Sequence, residues 1–154
     1  MGNLTKFDFY KLCVEEAGKI SERRMKNNQY FTLIHAALLS FISTLFTSSN
    51  EIKALVAISF LSFVGAILCY HWKCSIIAYK QLNTAKFDII CKMEKEQGFC
   101  PVFSDEWLLL KKTEGYRPLS EHENSAAAIF MWAYIMSFLV HAIMIVCYIL
   151  DICS

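Results

Sequence analysis

Glycine and proline are scarce, at five and two in a chain of 154 residues, which excludes collagen-like and low-complexity architectures. Charged residues are also few, 19% against 56% hydrophobic, and that apolar share excludes an intrinsically disordered chain. A formal net charge of +1 gives no global pull toward nucleic acid. Catalytic signatures are missing as well. No P-loop, GxGxxG, GxSxG or HExxH segment occurs, and no pair of carboxylates stands out for acid–base work. The length fits one domain.

The most telling absence is local. Asp, Glu, Lys and Arg are missing from 30–47, from 54–72 and from 125–150. A hydrocarbon core of about 30 Å needs about 20 helical residues, so each run is long enough to cross it. Together they leave too little polar chain to cover them in water. The expected fold class is therefore an all-α integral membrane protein with three transmembrane helices. The whole of 1–154 reads as a single membrane domain, with a tight hairpin between the first two spans.

Orientation follows from the basic residues. All but one of the 15 Lys and Arg fall in 1–29 or 73–124, the exception being Lys53 in the hairpin loop. Excess Lys and Arg mark the cytosolic side. The expected topology has the N-terminus inside and the C-terminus outside, in the inner membrane of a bacterium. Tyr30, Tyr70, Trp72 and Tyr148 sit near the span ends, where amphipathic rings favour the interface. Seven cysteines, an odd number split across the membrane, do not make a disulfide framework. Cys69-x-His71-x-x-Cys74 has unusual spacing for zinc and no second cluster, so neither metal nor cofactor is expected.

The inner segments have helical organisation of their own. Phe7, Tyr10, Val14 and Ala17 recur at helical spacing, which makes 1–29 an amphipathic helix. Residues 73–97 continue the second span without Gly or Pro, with Ile76, Tyr79, Leu82, Ile90 and Met93 as an apolar stripe. Asn83 and Lys86 fall close to that stripe, where polar groups are out of place. Gly98 and Pro101 break the helix, a short one follows through Lys112, and Gly115 closes it. Ser120-x-x-Glu123 reads as a capping box before the third span.

Two sets of residues carry candidate chemistry. Arg117 and His122 have the Arg-x4-His spacing found in HEPN ribonucleases, a weak two-residue signal whose plain alternative is an interfacial Arg and a helix-end His. Within the spans, Ser40, Ser43 and Thr47 share a face of the first, and Tyr134, Ser137, His141 and Tyr148 share a stripe of the third. Small and hydroxyl residues mark helix-packing faces. An ionisable residue inside the membrane is a functional candidate by default, and His141 is the sharper of two, His35 lying nearer an interface. Three spans cannot enclose a wide pore, so any channel must be oligomeric.

The segments Trp72-Lys73, Ile77-Ala78-Tyr79-Lys80-x-Leu82-Asn83-x-x-Lys86-Phe87, Met93-Glu94, Phe103-x-x-Glu106-Trp107, Tyr116 and Glu123 resemble the RipA-type family of small octameric bacterial membrane proteins. Ser21-x-Arg23-Arg24-x-x-Asn27-x-x-Tyr30 before the first span is similar too. That family includes the membrane accessory protein of type VI-B CRISPR systems, whose partner is an RNA-guided, RNA-cutting effector. The resemblance implies a homo-oligomeric ring of eight subunits around a pore, which disrupts the inner-membrane potential during phage defence. It implies lipid and self as partners, with no direct nucleic-acid binding. Pore-lining or gating candidates are then Ser40, Ser43, Thr47, Asn83, Lys86 and His141. A weaker likeness, to two-span pore effectors of nucleotide-signalling defence, is opposed by the third span. A membrane-anchored HEPN-like ribonuclease and a non-conducting scaffold that docks a cytosolic partner are the alternatives.

Overall fold

The computed structural model describes residues 5–48 and 52–153 as four helices, with no strand among them. They are α1 (Lys6–Ser48), α2 (Ile52–Gln97), α3 (Val102–Lys112) and α4 (Leu119–Cys153). α1, α2 and α4 each contain a window long and apolar enough to cross a membrane. The all-helical fold with three such helices is the one expected.

The amphipathic 1–29 segment and the first span are not separate helices. No proline interrupts 6–48 and its one glycine, Gly18, has open space around it, so a single helix of 43 residues runs through both. At 1.5 Å per residue it is about 65 Å long, twice the hydrocarbon thickness. α2, with 46 residues, continues past the second span in the same way. Each of the two therefore carries a full membrane crossing and a comparable length of helix beyond it. Gly98, at φ 70°, follows α2 in the left-handed conformation that ends helices without a Cβ penalty. The hairpin expected at Ser48 to Lys53 lies largely outside the described residues; Lys53 already belongs to α2.

The start of α4 differs from the expected capping box. The helix begins at Leu119, and the Glu121 N–H already bonds the Pro118 carbonyl at 2.9 Å. Ser120 is thus inside the first turn, buried at 6% exposure, and does not cap the helix from in front. Pro118, which has no N–H to leave unpaired, takes the position at the helix entrance.

The chain divides into two units. One joins Met1–Asn27 with Ile76–His122, the other Asn28–Ser75 with Glu123–Ser154. The second contains the membrane-crossing windows and has Ile58, Cys69, Trp72, Ala127 and Tyr134 in its core. The first has Ala17, Ile20, Ile76, Ile90 and Met93 in its own.

Candidate functional site

In the second unit the polar side chains of the spans meet one another. His35 on α1 is wholly buried, with Nδ1 3.3 Å from the Tyr134 hydroxyl on α4 and Nε2 3.5 Å from Cys69 Sγ on α2. Its ring stacks with Trp72 and Phe130, with centroids 5.6 and 5.4 Å away. A neutral imidazole, one donor and one acceptor, is satisfied at both nitrogens by this arrangement. Next to it, the Trp72 indole N–H donates to Asn28 Oδ1 at 2.9 Å. Further along, Ser62 Oγ lies 2.9 Å from Ser137 Oγ. The approach of α2 to α4 depends on Gly65. A Cβ there would stand 2.6 Å from the ring of Tyr134, which is itself 2% exposed and has nowhere to go.

The first unit is organised around one carboxylate. Glu94, 2% exposed, accepts hydrogen bonds from the Phe103 N–H (3.0 Å), the Ser104 N–H (3.0 Å), the Ser104 hydroxyl (2.8 Å) and the Tyr10 hydroxyl (3.1 Å). The residue before α3 is Pro101, which supplies no side-chain cap. Glu94 caps α3 in its place, from the end of the preceding helix, and meets the positive end of the α3 dipole. Burial by itself raises the carboxyl's pKa; the bonds from Phe103, Ser104 and Tyr10 outweigh it and hold the group below the ordinary carboxylate value. Burial and the bond to Glu94 push the Tyr10 phenol up.

A cleft of about 470 Å³ opens in the same unit, within the range of small-molecule sites. Phe87, Phe103, Trp107, Leu110, Tyr116 and Leu119 give it apolar walls, and Arg24, Lys80, Asp88, Glu106, Asn83 and Ser120 its polar groups. Lys111 Nζ lies 5.2 Å from the Trp107 ring centroid.

The residues singled out in the sequence are distributed as follows. Ser40, Ser43 and Thr47 are exposed on α1. Ser40 donates to the Ala36 carbonyl (2.9 Å), and Thr47 to the carbonyls of Ser43 (3.3 Å) and Thr44 (3.0 Å). His141 is buried at 9% exposure and donates through Nδ1 to the Ser137 carbonyl of its own helix at 2.7 Å. Asn83 is half-buried on the cleft, and its Oδ1 is buried without a hydrogen-bond partner. Lys86 is half-buried and helps hold the Glu16 carboxyl below its usual pKa, after the larger effect of Lys19. Arg117 and His122 are both exposed, and neither lines the cleft.

Two groups escaped sequence reasoning. His35 ranked below His141, yet it is the one that ties three helices together. Glu94 lies outside the apolar stripe of 73–97, and nothing local announces that Ser104 and Tyr10 converge on it. The sole local hint is the missing cap: a helix opening after Pro101 leaves N–H groups that some acceptor must satisfy. Among the described residues no group of three His, Cys, Asp or Glu is placed to hold a metal. Cys13, Cys69, Cys74, Cys91, Cys100 and Cys147 are free thiols.

No curated protein and no solved structure is significantly similar to this chain. A family model does match it, over residues 7–144, which covers the first two spans, most of the third and the larger part of both units. With its all-helical fold, the match over nearly the whole chain makes this protein a member of the octameric membrane protein family (8xMP).

Proposed function

We propose that eight copies form a ring in the bacterial inner membrane and open a pore that depolarises it, in CRISPR-linked antiviral defence beside an RNA-guided, RNA-targeting effector. The N-terminus and 73–124 are cytosolic, and the C-terminus is periplasmic. The observation that carries this reading is the state of the first span. Only 6% of its apolar window is buried within the protomer, against 33% for the second span. On that uncovered helix Ser40, Ser43 and Thr47 are exposed on one face. The Ser40 and Thr47 protons are engaged by α1 carbonyls, which leaves oxygen lone pairs facing outward. A ring of such faces gives water and ions acceptors to replace lost hydration, while the remaining surface of the span packs against neighbours. Lys86, repeated around the ring, forms a positive collar at the cytosolic mouth that gates by repulsion or favours anions. His141, whose Nδ1 is engaged by the Ser137 carbonyl of its own helix, and Asn83, on the cleft of the first unit, have supporting roles in this reading.

No observation favours the ribonuclease reading, since Arg117 and His122 stand exposed outside the cleft. The test is a voltage-sensitive dye in cells that express the protein with its effector, combined with the native mass of the purified assembly. Loss of potential on activation by an octamer is the expected result. A monomer, or an octamer that leaves the potential intact, overturns the pore and favours the scaffold.

A further inference from the structure

The cleft of the first unit has a composition that specifies a ligand. Its wall residues carry balanced charge, Arg24 and Lys80 against Asp88 and Glu106, beside a continuous apolar surface. Lys80, Asp88 and Glu106 make no ion pair among the described residues. Asn83 adds an amide oxygen buried without a donor. An orphaned acceptor of this kind is destabilising, and turning it into the cleft breaks no existing bond of that oxygen. An occupant complementary to these walls brings an N–H donor, a positive group for the carboxylates, a negative group for Lys80, and an apolar part.

Position along the chain narrows the source. Arg24 precedes the first span by six residues, Lys80 follows the second by eight, and Ser120 precedes the third by five. At 1.5 Å per residue along their helices these lie about 8–12 Å beyond the apolar runs, next to the headgroup layer, which extends about 5–8 Å from the hydrocarbon, and within side-chain reach of it. We propose that this cleft binds an aminophospholipid, with its primary ammonium on Asn83 Oδ1 and the Asp88 and Glu106 carboxylates, its phosphate toward Lys80, and an acyl chain along the apolar wall. A choline headgroup has charge of the same sign but no N–H, and a glycerol headgroup has no cation; both leave part of the site unmatched. The assignment stands whether or not the assembly conducts.

Native mass spectrometry of the purified octamer, exchanged against dioleoyl phosphatidylethanolamine, phosphatidylcholine or phosphatidylglycerol, tests it. Phosphatidylethanolamine should be retained, up to one per protomer, about tenfold better than either other lipid. Asn83→Leu should abolish the preference, Asn83→Asp, which keeps the acceptor, should preserve it, and Lys80→Glu should weaken retention. Equal retention of phosphatidylcholine, equal retention of phosphatidylglycerol, or a preference that survives Asn83→Leu in an intact octamer overturns the proposal. Free phosphoethanolamine provides the last arm. If it displaces the lipid at equal concentration, the natural ligand is the soluble headgroup and the lipid assignment fails.

Discussion

The two units solve the same problem, polar groups without water, in opposite ways. In the unit that holds the spans, polar side chains pair across helices: His35 with Tyr134 and Cys69, Trp72 with Asn28, Ser62 with Ser137. Each contact is between neutral groups, at 2.9 to 3.5 Å, so polar atoms are satisfied within the protein as an environment without water demands. In the other unit most charges remain solvated, as in the exposed Lys19–Glu16 and Lys92–Glu96 pairs, which contribute little. There one carboxylate, Glu94, the single buried one among the described residues, gathers four donors from three residues. Distributed neutral pairing tolerates the loss of any one pair. A hub does not, and that difference is open to test.

The largest effect should come from the close approach that permits pairing at all. Gly65→Leu forces a branched side chain into the Tyr134 ring, and overpacking of this kind destabilises by about 3 kcal/mol or more. Gly65→Ala should have about half that effect. A fall in the melting temperature of the detergent-solubilised octamer, larger for Leu than for Ala, is the expected reading; equal stability of all three proteins would show that α2 and α4 are not held this closely.

Next comes the hub. Glu94→Ala strands the Phe103 and Ser104 amides and should cost about 2–3 kcal/mol, confined to α3. Amide hydrogen exchange at those two residues should speed up while 54–72 stays protected. The pH dependence has a definite sign. Because the folded carboxyl titrates below its ordinary value of 4.5, its contribution is complete above that pH and is lost as pH falls through the lower folded value. Protection of the Phe103 and Ser104 amides should thus persist at pH 5 and disappear only in stronger acid, whereas Glu94→Gln should make it independent of pH across that window.

The smallest effects should fall on individual neutral pairs. Tyr134→Phe removes the hydroxyl from His35, and Ser62→Ala removes one from Ser137, each worth about 0.6 kcal/mol in a membrane interior. Thermal melts of the two single variants should each show a small shift, well below that of Glu94→Ala. A loss as large as that of Glu94→Ala from either single change would erase the contrast between the units.

Much of the fold was legible in the sequence because its strongest signals are local. Three runs without Asp, Glu, Lys or Arg marked the spans, and Gly98 and Pro101 marked the end of α2. The fusion of the amphipathic segment with the first span was legible too, in the absence of any proline across 6–48, but hydropathy changes so sharply near Tyr30 that it suggests a boundary. The capping box misled because Pro118 starts α4 before Ser120 has a chance to. The site contacts were beyond reach for a simpler reason. His35 and Tyr134 are 99 positions apart, and Tyr10 and Glu94 are 84 apart, and no periodicity reports such pairings.

The proposed pore is tested most directly by current. Purified octamer in a planar bilayer, with the proposed effector present, should show channel openings. Ser40→Leu combined with Thr47→Leu should reduce the conductance at least about tenfold without changing the octamer's mass, because the hydroxyl face is replaced by one that sheds water. Full conductance in that double variant would contradict the hydroxyl face as the lining, and an intact, activated octamer that carries no current would contradict the pore itself.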